Sequence, residues 1–368
     1  MAHIERRANN HYRARYRSPD GMEHSRTFAR KGEAERFLTS IEHSKLTGAY
    51  VDPAAGRVTF RAYAEDWRRV QVNRPGTAVS IESHLRLHVY PTLGHRPIAA
   101  VRPSEVQALV HRLGERLAPS TIEVVYGRVV AVFRAAVRDR VMTTSPCVGI
   151  RLPSKPPASM LEVLSTDEVH ALAGAIAPRY AALVLTAAGT GLRPGELFGL
   201  RADRVDFLGR TVRVDQQIAR VASGGVAPGP LKTRASYRSV PLPETVANTM
   251  AAHLARWPKH VDTGVMFTNE RGRLIQEYPF SAAWNTAKRK VATPDWATPH
   301  DLRHYYASVL IRSGASVKVV QARLGHASAK TTLDVYGHLF PDEEDRTRAA
   351  VDAELRRPAE RARHAESR

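Results

Sequence analysis

Cysteine is almost missing from this chain: Cys147 stands alone among 368 residues. A single thiol excludes an intramolecular disulfide framework and a cysteine-based zinc site. Long apolar runs are missing as well, and nothing approaches the ~20 consecutive apolar residues of a membrane span. Met1-Ala2-His3-Ile4-Glu5-Arg6-Arg7 leads into polar residues rather than an apolar signal segment. The expectation is a soluble protein that stays inside the cell and away from the membrane core. Acidic residues are in short supply: 36 Asp+Glu face 55 Lys+Arg, for a formal net charge of +19. Such an excess favours a polyanionic partner, nucleic acid first and an anionic membrane surface second. A merely basic protein whose arginines reflect codon usage is the alternative. Hydrophobic residues at 43% and charged residues at 25% are ordinary for a globular chain. The length leaves room for two or three domains and at least one sizeable core.

Residues 1–56 form a small basic unit. His11-Tyr12-Arg13-Ala14-Arg15-Tyr16-Arg17 alternates with a strand-like period of two. Ser18-Pro19-Asp20-Gly21 reads as a turn, and His24 to Phe28 as a return strand. A helix opens at Lys31 and carries Leu38, Ile41 and Lys45. Arg13, Arg15 and Arg17 project to one face of their strand, where they suit a DNA groove or its phosphates. A solvated basic hairpin that only packs on its neighbour is the alternative. Asp52-Pro53-Ala54-Ala55-Gly56 reads as a linker. Residues 57–150 are helical, with Phe60, Tyr63, Trp67 and Val70, and then Ile81, Leu85 and Val89, recurring every three or four positions. Pro103-Ser104-Glu105 and Pro119-Ser120-Thr121 read as helix starts. Arg68, Arg69, Arg74, Arg86, Arg128, Arg134, Arg138 and Arg140 give this bundle a basic face. Proline-rich 151–160 is a second linker.

Residues 161–345 make the largest domain, and 346–368 a charged tail, read as an exposed helix. Ser165-Thr166-Asp167-Glu168 is a capping box, followed by an apolar helix from Tyr180 to Ala188. Strands are expected at Val205-Asp206-Phe207, Thr211–Val214 and Ser239–Leu242, with a Gly/Pro-rich turn at 223–230. Thr298-Pro299 reads as an N-cap followed by a first-turn proline. Leu302, Tyr305 or Tyr306, Val309 and Leu310 then form a buried face as far as Gly314. Gly325 stops the next helix, and Ser328 caps the one that carries Tyr336.

Four segments of this domain hold the residues that phosphate chemistry needs: cations, proton carriers and a nucleophile. They are Thr190-Gly191-Leu192-Arg193-Pro194-Gly195-Glu196-Leu197, His300-Asp301-Leu302-Arg303-His304, Leu324-Gly325-His326-Ala327-Ser328, and Thr331 to His338 with Tyr336. Each residue alone has a plain structural reading. Tyr336 suits a half-buried core position, and Arg193 beside Glu196 a helical ion pair. His300 and His304 have the i, i+4 spacing of metal ligands, but no third ligand is evident.

Taken together, the spacing resembles the tyrosine recombinase family, specifically the integrases of temperate phages and mobile elements, over the whole chain. The resemblance implies a mainly α fold with small β-sheets (α+β). An N-terminal arm-type DNA-binding unit, a core-binding helical bundle and a catalytic domain would follow one another. It places the family's arginines at Arg193 and Arg303, its histidines at His300 and His326, its lysine at Lys232, its bracing acid at Glu196 and its nucleophile at Tyr336. Tyr305-Tyr306 departs from the family's usual residues there, and Arg234 and Arg238 share the hairpin of Lys232. The implied reaction breaks and rejoins DNA through a 3′-phosphotyrosine link, with His300 taking or sharing the tyrosine proton, and without metal, ATP or cofactor. The implied partners are double-stranded attachment-site DNA and three further protomers in a tetramer. An excisionase-type directionality factor and a host DNA-bending protein fit the same picture, and the implied location is the nucleoid in the cytoplasm. A type IB topoisomerase, or a non-catalytic DNA-binding protein on the same fold, is the alternative.

Overall fold

In the computed structural model, strands β1 (His3–Arg6), β2 (Tyr12–Arg17) and β3 (Glu23–Phe28) form an antiparallel sheet in that order. Ala14 and Tyr16 alternate with the arginines and point inward, against Ala34, Leu38 and Ile41 of helix α1 (Lys31–Leu46) and against Tyr50. β1 leaves little trace in the sequence pattern because only Ile4 of its residues is even half-buried. The structure describes residues 3–19, 21–47, 50–52, 54–154, 161–221, 224–291, 293–340 and 347–355. Asp20, Pro53, residues 155–160 of the expected second linker, Ser223 of the Gly/Pro-rich turn, and 341–346 and 356–368 near the C-terminus lie outside them. The chain divides into two units, Met1–Pro157 and Ala158–Arg368.

The rest of the first unit is a bundle of α2 (Phe60–Arg69), α3 (Pro75–His84), a π-helical turn Leu85–Val89 running into α4 (Tyr90–Leu93), α5 (Pro103–Gly114) and α6 (Pro119–Arg138). Proline opens α3, α5 and α6, where its missing N–H costs nothing. The Thr59 hydroxyl accepts the Ala62 N–H at 3.2 Å to cap α2. Phe60, Ile81, Leu85, Val89, Ile122 and Phe133 fill a separate core. Val70, expected on the buried stripe, is 75% exposed because α2 ends at Arg69. Part of the basic face is neutralised locally: Arg68, Arg69 and Arg86 pair with Glu65, Asp66 and Glu82.

The second unit runs α7 (Thr166–Ala175), α8 (Pro178–Thr190), α9 (Pro194–Phe198), β4 (Val205–Asp206), β5 (Thr211–Val214), β6 (Gln217–Arg220), β7 (Val226–Gly229), β8 (Arg238–Pro241), α10 (Glu244–Arg256), α11 (Glu277–Lys290), α12 (Asp301–Arg312), α13 (Val317–Leu324) and α14 (Ala329–Tyr336). Apolar α8 packs against α7, α10 and α12 at the centre of the largest core. The capping box of α7 forms in both directions between Ser165 and Glu168. β4, β5 and β8 make one antiparallel sheet, and β6 pairs with β7 in a hairpin. Part of the expected turn at 223–230 is therefore strand. Pro228 opposite Ile218 is tolerated because a two-stranded hairpin leaves an outer edge that needs no donor. α12 starts two residues later than Pro299. The Thr298 N–H and hydroxyl both reach the Asp301 carboxylate, at 2.7 and 2.6 Å, and Pro299-His300 form the turn before the helix. Residues 347–355 are helical and exposed. The architecture is mainly helical with small antiparallel sheets, and no helix among the described residues is long and apolar enough to cross a membrane.

Candidate active site

Helix ends, rather than helix faces, build this site. α8 stops at Gly191, whose left-handed backbone (φ +63°) leaves no room for a side chain: a Cβ would sit 2.3 Å from the Tyr306 ring. The chain can then turn into Arg193, the residue that caps α9. The Arg193 backbone N–H donates to Glu196 Oε2 at 3.0 Å, and its Nη1 donates to Oε1 at 2.9 Å. α13 ends the same way at Gly325 (φ +65°), where a Cβ would meet the Ala235 carbonyl at 2.9 Å. The last carbonyls of α13 have no partner within the helix and carry its negative end. Both candidate arginines meet them there. Arg193 Nη2 donates to Gly325 O at 3.3 Å. Arg303, on the first turn of α12 and 2% exposed, donates from Nη2 to Leu324 O and from Nη1 to Gly191 O, both at 2.6 Å.

Glu196 is 3% exposed and anchors the cationic side. Burial alone would raise its pKa, but Arg238 and then Arg193 hold its carboxyl below the usual range. Arg238 donates from Nη2 to Glu196 at 2.8 Å, from Nε to Arg323 O at 2.8 Å and from Nη1 to Ser236 O at 2.9 Å. Sequence reasoning placed Arg238 only as a neighbour of Lys232. No local spacing shows that its partners are 42 and 85 residues away. Burial, then the field of Arg193, pushes the Arg303 guanidinium down to about 9, which still leaves it charged at neutral pH. Each guanidinium has five N–H donors, and these contacts use two of them on either arginine. The rest remain for an anion.

Tyr336, the last residue of α14, is 1% exposed. Its hydroxyl lies 2.8 Å from His304 Nδ1, so His304 rather than His300 meets the phenol. His300, read as taking or sharing the tyrosine proton, stands at the exposed mouth with its ring edge-on to His304, centroids 5.1 Å apart. The i, i+3 and i, i+4 relations on α12 bring both histidines and Arg303 to one region. They do not reveal which ring reaches a residue on another helix. On the opposite side the His326 ring stacks parallel to Tyr336 at 6.4 Å, and its Nδ1 is 2.9 Å from the buried Thr332 hydroxyl. Partial burial first, then the cost of adding a charge beside other basic groups, pushes His300 and His326 each down to about 4. For His300 the groups are His304 and Arg303, and for His326 they are Arg303 and Arg193. Burial pushes the Tyr336 phenol up to about 12, against the opposing pull of Arg303 and Arg193.

The structure thus brings Arg193, Glu196, His300, Arg303, His326 and Tyr336 into one cluster and adds His304 and Arg238. Lys232 is exposed, next to buried Leu231, at the start of the turn whose Ala235 carbonyl closes against Gly325. Tyr305 shares a hydrogen bond with Thr166 at 3.0 Å, and Tyr306 is buried against Gly191. Among the described residues no group of three or more His, Cys, Asp or Glu side chains could hold a metal. In the N-terminal sheet, Arg15 lies between Glu5 and Glu23 at 3.2 and 3.3 Å, Arg13 donates to Ser25 at 3.1 Å, and Arg17 is exposed.

The model of the phage integrase family matches residues 162–343, that of the phage integrase central domain 60–152, and that of the phage integrase N-terminal domain 3–48. The integrase of Mycobacterium phage D29 is 30% identical over 336 residues, which span 87% of this chain and 88% of that protein. Among solved structures, the Tn1549 transposon integrase in complex with a circular intermediate DNA superposes with a TM-score of 0.67 at 21% identity, covering 80% of this chain and 98% of that one. A lambda integrase tetramer bound to a Holliday junction gives 0.57 at 18% identity, covering 89% and 96%.

Proposed function

The chain belongs to the phage integrase family and is a site-specific tyrosine recombinase, and on that footing we propose how its residues divide the reaction. Arg193, Arg303 and His326 bind the non-bridging oxygens of one DNA phosphate and neutralise the charge that grows on them. Tyr336 attacks the phosphorus. A bond forms between phosphorus and the phenolic oxygen as the phenol proton passes to a neighbouring histidine, the bond to the 5′ oxygen breaks, and Lys232 gives that oxygen its proton. The product is a 3′-phosphotyrosine link and a free 5′-hydroxyl. A 5′-hydroxyl from the partner strand reverses the step without ATP, because the covalent link keeps the bond energy.

The observation that carries this reading is the seating of both guanidiniums on consecutive carbonyls at the end of α13, in one cluster with the Tyr336 hydroxyl. Residues 57–150 clamp the core site, and 1–56 bind separate flanking sites in attachment DNA. Four protomers exchange strands between two duplexes, as the lambda integrase tetramer on its Holliday junction suggests. A directionality factor and a host DNA-bending protein bias the outcome. Matches to both the integrase N-terminal and central domains favour this over a type IB topoisomerase or a non-catalytic DNA-binding protein.

The test uses a pool of duplexes with randomised flanks around one 5′-bridging phosphorothiolate. Departure of the thiol leaves the covalent adduct unable to rejoin. Wild-type protein should be trapped on a subset of sequences in a denaturing gel, and sequencing that subset gives the core site. Tyr336→Phe should bind the same duplex and form no adduct. Equal trapping of the Phe variant would move the nucleophile elsewhere.

A further inference from the structure

We propose that His304 is the base that takes the Tyr336 phenol proton during strand cleavage and the acid that returns it during rejoining. This rests on the reading of Tyr336 as nucleophile. Its Nδ1 lies 2.8 Å from the hydroxyl, within direct transfer distance. The ring rides on α12 one residue beyond Arg303, so the group that receives the proton and the group that holds the phosphate move as one body.

The other basic groups nearby are spoken for. His326 faces the phenol flat-on, with the two rings 10° from parallel, and its Nδ1 is engaged by Thr332. Its second nitrogen is left for a phosphate oxygen. His300 stands at the mouth, in ring contact with His304 rather than with Tyr336. The Asp301 carboxylate is turned back onto Thr298, and Glu196 is held by Arg193 and Arg238. A base is needed: a phenol pushed up to about 12 is scarcely ionised at neutral pH. Burial, and then Arg303 against the opposing Asp301, lower His304 from its usual value, so the ring is neutral and has a lone pair to offer.

In the forward step the phenol O–H bond breaks, Nδ1 gains the proton and phosphorus gains the phenolic oxygen. Lys232 protonates the departing 5′ oxygen. In rejoining, the imidazolium hands the proton back to the departing phenolate. His300, edge-on to His304 at the exposed mouth, gives the resting ring a route to exchange protons with solvent.

The experiment compares His304→Asn and His304→Ala with wild type on the duplex recovered by phosphorothiolate trapping. Asn keeps an oxygen or nitrogen at the Nδ1 position but takes up no proton. Both variants should bind like wild type, and both should cleave ~10²-fold more slowly. Rejoining of a preformed adduct should slow equally, leaving the covalent fraction at equilibrium unchanged. The sulfur leaving group, which needs no proton, should rescue Lys232→Ala and leave both His304 variants slow. Wild-type rates in His304→Asn would show that a hydrogen bond suffices and overturn the proposal. Faster cleavage in either variant would make His304 a latch on the resting tyrosine, and rescue by sulfur would place it on the leaving group. Either result also overturns the proposal. If wild-type protein traps no strand at all, the nucleophile reading and this inference fall together. If it traps and His304→Asn matches it, only the inference falls.

Discussion

Arg303 and Arg15 both sit on regular elements and both use two acceptors, but they meet opposite surroundings. Arg303 is buried and bonded to two neutral carbonyls, one from the αL turn after α8 and one from the end of α13. Arg15 lies on an open sheet between two carboxylates, Glu5 and Glu23. The first keeps its full charge in a low-dielectric site, and carbonyls fix its fork without neutralising it. The second shares its charge with neighbours in water, where each pair is worth under ~1 kcal/mol and gives way readily. A phosphate that must be held while a bond breaks calls for the first kind of arginine. A groove sampled and released calls for the second.

The largest effect should come from the acid that balances the buried side. Glu196→Gln removes the charge facing Arg238 and Arg193 and leaves cations without their counterion, so urea unfolding should show a loss of about 3 kcal/mol. A loss well under ~1 kcal/mol would mean that the carbonyls alone hold these arginines. Next come Arg193→Lys and Arg303→Lys, which keep the charge and lose the planar fork. Single-turnover trapping should slow by ~10²-fold or more. Near-normal trapping in both would erase the distinction between the two kinds of arginine.

The exposed set should respond more mildly. Neutralising Arg13, Arg15 and Arg17 together should weaken binding to flanking attachment DNA and flatten its salt dependence by at most ~0.9 in log–log slope per lost phosphate contact. Arg17→Gln should account for more of this than Arg15→Gln, because Glu5 and Glu23 already occupy Arg15. Equal shares would show that DNA displaces the carboxylates completely. Removing residues 1–56 should abolish flanking-site footprints while core trapping persists. Joint loss of core binding and thermal stability would reduce that unit to a structural support.

The smallest effect concerns acid. His300 and His326 titrate near 4 in the folded protein against an ordinary 6.5, so in that window the unfolded chain binds more protons. Stability therefore rises with pH between about 4 and 6.5 and is lost on acidification. Glu196, held below its ordinary 4.5, adds its own loss only at still lower pH. The double variant His300→Gln, His326→Gln should show a shallower fall in urea midpoint from pH 7 to pH 4.5. Some slope remains from His84, His253 and His304, which burial also pushes down. An unchanged slope would place the acid sensitivity elsewhere.

Local order fixed much of this protein. The period of two around Arg13 to Arg17, the apolar stripe from Ile81 to Val89, the capping box at Ser165 and the glycine stops at Gly191 and Gly325 are all short-range effects of side-chain size and backbone freedom. They are legible from a few neighbouring residues. The motif spacing likewise picked out Arg193, Arg303, His326 and Tyr336, because helix ends hold such residues at set distances from a glycine or a cap. What it left open is which groups meet across elements. β1 and β7 form through cross-strand pairing, with almost no buried side chains of their own to announce them. Arg238 meets Glu196 through a sheet that returns 42 residues later, and His304 rather than His300 meets Tyr336 from a helix 32 residues away. A helix sets which side chains share its face. Only the way α12 and α14 are each seated on α13 sets which of them comes within hydrogen-bonding distance of a hydroxyl, because that choice turns on shifts smaller than the spacing between two histidines one turn apart.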